Sequence, residues 1–249
     1  MNTDFLIEAC TTSVTSAIEA QKGGAKRVEL CDNLYEGGTT PGYGTIKTAR
    51  ELLTIKLNVM IRPRGQDFCY SDIEYQIMKE DIEVCKSLGA DGIVLGILKP
   101  DGNIDVERTA KLIELARPMS VTFHRAFDMT PDPFKALEDI ILTGADRILT
   151  SGQTDKAVDG AELIKKLVEK AGNRIIIMPG SGINEDNILE FQQKTGAKEF
   201  HLTGFKFVDS RMKFRKNGIY MGSLPQIPEY EMRITDTRKI KMAVDRLGD

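Results

Sequence analysis

Cysteine is scarce in this sequence: four residues, Cys10, Cys31, Cys69 and Cys85, are spread over 249 positions. That is too few and too dispersed for a disulfide framework, so all four are expected as thiols. No apolar run approaches the roughly 18 residues that a membrane span requires. A secretory signal is missing as well, because Met1 to Asp4 lead straight into a short apolar run with no basic region before it. These absences point to a soluble chain in the cytosol without membrane contact. An excess of one charge is also lacking: 34 basic residues face 37 acidic ones, a net charge of -3. Without a broad basic field, nucleic acid is not an expected partner. A metal ion or a small molecule is.

What the sequence does contain is a globular balance, 41% hydrophobic and 29% charged, in a length that suits one α/β barrel over residues 1–249. A phrase of Gly-Ala, a polar residue and then a short apolar run recurs from Gly24, Gly89, Gly144 and Gly196. Each copy reads as a helix-ending glycine followed by a strand. Further apolar runs lie between them at residues 5–10, 57–61, 119–124 and 174–178. Ser13 or Thr12, Ser71, Asp105, Asp132, Asp159 and Asn184 offer helix caps. Eight strand–helix units without a long linker predict a closed (β/α)8 TIM-type barrel.

The repeat then serves as a ruler, because side chains alternate between inside and outside along a strand. Val28 and Leu30, Ile93 and Leu95, Ile148 and Thr150, and Phe200 and Leu202 are the outward pairs. Glu29, Val94, Leu149 and His201 then share one inward layer, with Cys31, Gly96, Ser151 and Thr203 above them. On the intervening strands Glu8 and Cys10, Met60 and Arg62, and Thr122 and His124 point inward. Closure places the eighth strand beside the first, so His201, Glu8 and Glu29 should converge. Two carboxylates in a partly dry interior are unfavourable unless they share a proton, a cation or a basic partner. A salt-bridge network with Arg62, His201 or Arg27 would satisfy them. A functional site would too, and buried charge seldom improves on an apolar core.

Glu8-Ala9-Cys10 and Glu29-Leu30-Cys31 bring two thiols to one inward face. Two thiolates could clasp a soft ion such as Cu(I) in near-linear geometry, although a buried cysteine is also a common core residue. Cys85 falls in a helix and is expected to pack. Arg62, Arg64 and Asp67, in the loop after the third strand with Phe68 and Cys69, suit a carboxylate or phosphate ligand or tether the loop to itself. His124 ends the fifth strand as a candidate acid or base, followed by Arg125 and Asp128. Ser151 offers a hydroxyl to a ligand without an activating base. Gly180, Ser181 and Gly182, with Thr203-Gly204, occupy the loops that form the usual phosphate site of such barrels. Residues 204–234 greatly exceed the usual connection of about 2–6 residues. They carry Lys206, Arg211, Lys213, Arg215 and Lys216, a turn at Asn217-Gly218, and Ile219-Tyr220-Met221. A β-hairpin is expected there, as a basic lid or as a subunit contact in a homo-oligomer, a dimer in the simplest case.

Taken together, Glu8-x-Cys10, Arg27-Val28-Glu29-Leu30-Cys31, Glu36-Gly37-Gly38-Thr39-Thr40-Pro41, Arg62-Pro63-Arg64-Gly65 with Asp67-Phe68-Cys69-Tyr70, Thr122 to Asp128 and Leu149-Thr150-Ser151-Gly152 resemble the CutC family. The resemblance implies a TIM barrel tied to copper homeostasis, with Cu(I) bound by Cys10 and Cys31 from the first two strands. The tail beyond Asn217, with Pro225-Gln226-Ile227-Pro228, is longer than the family pattern. Two readings stay open. One is a copper-binding or copper-trafficking protein. The other is an enzyme for a phosphorylated or carboxylated small molecule, with Glu8, Glu29, His124 and His201 as acid-base candidates and Arg62 and Arg64 as anion clamps.

Overall fold

The apolar runs form eight parallel strands, each followed by a helix: β1 (Leu6–Thr11), α1 (Val14–Lys22), β2 (Arg27–Leu30), α2 (Tyr43–Leu52), β3 (Lys56–Met60), α3 (Asp72–Ser87), β4 (Gly92–Leu95) and α4 (Val106–Ala116). The second half continues as β5 (Ser120–Phe123), α5 (Pro133–Thr143), β6 (Arg147–Thr150), α6 (Ala161–Ala171), β7 (Ile176–Pro179), α7 (Ile188–Thr195) and β8 (Glu199–Leu202). A two-stranded antiparallel sheet, β9 (Phe205–Asp209) with β10 (Glu231–Thr235), precedes α8 (Thr237–Gly248). This computed structural model describes residues 5–222 and 227–248. Its architecture is a (β/α)8 TIM-type barrel. Among the described residues no helix is long and apolar enough to cross a membrane.

The ladder runs β7-β6-β5-β4-β3-β2-β1-β8. Glu8 is thereby set level with Arg27 on one side and His201 on the other. Among the described residues no ladder joins β7 to β8. The alternation follows the repeat. Val28, Leu30, Ile93, Leu95, Ile148, Phe200 and Leu202 lie in the main core beneath the helices, whereas Cys10, Cys31, Met60 and Val94 form a separate cluster inside the barrel.

Ser13, Ser71, Asp105 and Asp132 cap their helices by accepting backbone N–H bonds, and Ser71 forms a full capping box with Glu74. Two expected caps differ. α6 starts after Gly160 with no side-chain cap, so Asp159 plays no such part. Asn184 accepts from the N–H of Asp186 and Asn187 within a turn, and α7 begins only after Asn187. The hairpin expected about Asn217-Gly218 and Ile219-Tyr220-Met221 does not form among the described residues; the strands that pair stand at the two ends of the insertion. Phe205 and Phe207 pair with Thr235 and Arg233, and the Arg233 guanidinium lies 3.8 Å over the Phe205 ring. The stretch around Asn217-Gly218 is an exposed turn with no partner strand among the described residues. Pro225 and Gln226 lie outside the described residues.

Gly92 shows how closely the barrel floor is packed. A Cβ there would fall 2.3 Å from Asn58 Oδ1 and 2.6 Å from Ser120 Oγ. Both side chains are fixed by the polar floor described below, so neither can retreat without losing a partner. Gly92→Ala is expected to cost about 1–3 kcal/mol through overpacking, read as a lower urea midpoint with an unchanged slope.

Candidate functional site

The barrel interior is built in three storeys. At the bottom, where such barrels usually carry Val, Ile and Leu, this one carries ions. Arg27 reaches from β2 to Glu8 on β1 and to Glu199 on β8. Arg147 comes from β6 to the same Glu199 carboxylate at 3.1 Å and also donates to Ser120 Oγ and Thr122 Oγ1. Arg27 further contacts the Met178 sulfur at 3.2 Å, and Asn58 Nδ2 faces Glu8 at 3.5 Å. Two guanidiniums and two carboxylates balance one another there.

The middle storey holds Glu8, Glu29 and His201. His201 Nδ1 lies 2.8 Å from Glu8 Oε1, and its Nε2 lies 3.7 Å from Glu29 Oε2. Burial alone would raise the Glu8 pKa, but Arg27 and His201 outweigh it and hold the carboxyl down at about 2. Burial likewise works against a charged His201. The Glu29 and Glu8 carboxylates prevail and lift its pKa above the ordinary imidazole value. Glu29 is the odd member. It is 2% exposed, its Oε1 has no hydrogen-bond partner, and burial raises its pKa. The convergence expected of these three residues is therefore present, and it divides them. Glu8 is a fully paired anion, while Glu29 is an under-satisfied group at the edge of a cavity.

Above Glu29 stand the thiols. Cys10 Sγ and Cys31 Sγ are 3.8 Å apart, and Cys31 also faces the Thr11 carbonyl at 3.6 Å. The hydrogen bond to Cys31, then burial, push the Cys10 pKa well above the usual thiol range. Ligand atoms of Cys10, Glu29 and Cys31 all lie within 4.8 Å of one another. So do those of Glu8, Glu29 and His201. Cys85 is buried in the main core on α3 and Cys69 is exposed.

A cavity of about 930 Å³ opens over the thiols toward the C-terminal ends of the strands. Cys10, Glu29 and His201 reach it from below. Arg62, His124, Arg125, Asp128, Ser181 and Gly182 line its walls, and Phe205, Lys206 and Arg233 of the β9–β10 hairpin close one side. Other sequence candidates are committed elsewhere. Arg64 pairs with Glu74 at 2.5 Å and Asp67 at 3.0 Å, and it stacks on Tyr70, so it fastens the loop to α3. Asp128 accepts from Arg125, Thr150, Ser151 and the Gln153 N–H, while Ser151 Oγ also receives a bond from Arg125. That cluster joins the loops after β5 and β6. Gly180 packs against Leu149 and His201, with no room for a side chain.

Arg27, expected as a partner of the buried carboxylates, pairs with Glu8; Arg147 and Glu199 were absent from the sequence candidates, although the ruler could have found all three. They sit two residues before Glu29, Leu149 and His201 in the repeated phrase, which is one inward step lower.

Comparison with known proteins gives a family and the same fold. Residues 5–206 match the model of the CutC family. A family protein CutC from Parabacteroides distasonis is 53% identical over 237 residues, covering 95% of this chain and 98% of that one. The human copper homeostasis protein cutC homolog is 47% identical over 237 residues, or 95% of this chain and 87% of its own. Among solved structures, the crystal structure of the proposed copper homeostasis protein CutC from Streptococcus agalactiae is 41% identical. It superposes with a TM-score of 0.77 over 80% of this chain and 98% of that chain.

Proposed function

The chain belongs to the CutC family, linked by name to copper homeostasis, and from that premise we propose that it binds Cu(I) through Cys10 and Cys31 in the cytosol. The observation that carries this reading is the approach of two buried sulfurs to 3.8 Å on adjacent strands. With metal–thiolate bonds of about 2.3 Å, sulfurs at that spacing subtend about 110° at an ion. The pair thus suits a bent site better than the near-linear one expected from the sequence, and the open side faces Glu29. Soft thiolates favour Cu(I) over harder divalent ions, while a carboxylate contributes little affinity to it. Glu29 fits the part of proton acceptor beside Cys10. The exposed Met212, Phe214, Ile219, Tyr220 and Met221 on the insertion are where a homo-oligomer would form.

Because the Cys10 pKa is raised, loading must displace its proton. The apparent Cu(I) affinity is therefore expected to climb about tenfold per pH unit for each proton released. Competition against a colorimetric Cu(I) chelator at several pH values between about 6 and 8, under reducing and oxygen-free conditions, measures both the affinity and this slope. If the protein takes no Cu(I) from the chelator, or does so with no pH dependence, thiolate binding at this site is wrong.

A further inference from the structure

Arg62 is an anomaly at the barrel mouth. It is 4% exposed, yet among the described residues no carboxylate lies within ion-pair distance of it. Nη1 donates to the carbonyls of Glu36 and Gly38, each at 2.7 Å, and Nη2 donates to that of Gln66 at 2.8 Å. Nε has no partner. Carbonyl dipoles satisfy N–H groups but do not neutralise the charge, and a buried unpaired cation is a standing destabilisation.

His124 lines the same cavity. The ring is 3% exposed, and Nδ1 accepts the Ala126 N–H at 3.2 Å, which places the ring proton on Nε2. Nε2 too has no partner. Burial, then the charge of Arg62, hold its pKa down at about 3, so the ring is a neutral donor throughout the physiological range. Phe68 stands beside both, 4.9 Å from the guanidinium and 5.0 Å from the imidazole. Gly96 is what allows this placement, since a Cβ there would come within 2.6 Å of His124 Nδ1. Across the mouth, Ser181, Gly182 and Ile183 line the cavity, with backbone N–H groups unbonded to any described residue.

We infer that the mouth binds a small organic oxyanion, a carboxylate or a phosphate ester, whose charged end lies against Arg62 and the Nε2–H of His124. A bare metal cation gains nothing from this wall, and its volume of about 930 Å³ is that of a metabolite pocket, not of an ion site. The site goes beyond the thiol reading and does not depend on it. Neutralising Arg62 and supplying an acceptor to His124 give the ligand a differential affinity for the folded state.

Thermal unfolding of the whole protein tests this with three salts at matched ionic strength: potassium phosphate, potassium succinate and potassium chloride. At about 20 mM, phosphate or succinate should raise Tm by roughly 4 °C over chloride, as expected for millimolar binding. A shift with phosphate alone assigns a phosphate ester, and one with succinate alone a carboxylate. His124→Phe, which keeps the ring contact with Phe68, should lose at least half of the shift. Arg62→Lys, which keeps the charge but not the fork, checks the second pole and should lose a similar share. Cys10→Ser combined with Cys31→Ser should keep the shift in full, which separates this site from the thiol site. No shift with either anion in the parent, or a full shift in both His124→Phe and Arg62→Lys, would overturn the inference.

Discussion

Glu8→Gln is expected to lower the melting temperature by roughly 10 °C, while Glu29→Gln leaves it unchanged or raises it. The two carboxylates sit on neighbouring strands, each two residues before a cysteine, and composition alone would treat them alike. Their partners differ. Glu8 receives Arg27, His201 and, more weakly, Asn58, so its loss leaves the buried Arg27 guanidinium with Glu199 alone and takes the nearer carboxylate from His201. Breaking such a buried pair costs about 3–5 kcal/mol. Proton linkage gives a similar figure. A fully buried carboxyl moved from 4.5 to about 2 contributes roughly 3 kcal/mol. That stability is complete above the unfolded pKa and is lost as pH falls through the folded one. The parent should therefore weaken between about pH 4.5 and 2, and Glu8→Gln should lose most of that acid dependence. Glu29 runs the other way, because its pKa is raised in the fold. Its contribution is present below the unfolded value and is lost as pH rises, so above that value burial of this carboxyl is a cost that glutamine removes. Urea unfolding of both variants across pH measures all of this. Equal destabilisation by the two substitutions would mean that Glu29 is a structural partner after all.

The second large effect concerns the thiols. Cys10→Ser and Cys31→Ser should each weaken Cu(I) binding more than hundredfold, and the double variant should retain no tight site. Structural zinc sites of four ligands are worth about 10–16 kcal/mol, hence roughly 2.5–4 kcal/mol per ligand. One thiolate leaves the soft ion under-coordinated. Glu29→Gln should change affinity by less than about tenfold, below the roughly 10–100-fold typical of outer-shell partners, because the carboxylate is too hard to hold Cu(I). Metal-free Tm values, taken alongside, distinguish loss of the site from loss of the fold. A double variant that binds Cu(I) as tightly as the parent would reduce Cys10 and Cys31 to packing beside Met60 and Val94.

Much of this was legible in the sequence because a strand imposes a strict period. Once Val28, Leu30, Phe200 and Leu202 face the helices, Glu29 and His201 have nowhere to go but inward, and closure brings Glu8 to them. The loops obey no such period. Arg64 and Asp67 carry the same residue types as an anion clamp, but whether Arg64 turns to the cavity or to Glu74 depends on where α3 begins and on the capping box of Ser71. The isolation of Arg62 was equally out of reach, since it depends on carbonyls of Glu36, Gly38 and Gln66 converging on one guanidinium. Asn217-Gly218 has the composition of a hairpin turn, yet the strands that pair are set by Phe205 and Arg233 near the barrel rim.

The gap between β7 and β8 gives the ionic floor a further meaning. Every other pair of neighbouring strands is joined by backbone hydrogen bonds, whereas this one is bridged from beneath by side chains that reach past it. Arg147 passes from β6 to Glu199 on β8, and Arg27 touches Met178 on β7. The cylinder resembles a belt whose clasp is charge, and the clasp sits directly under His201. Any event that redistributes protons or charge among Glu8, Glu29 and His201 therefore acts on the fastening as well as on the chemistry above it.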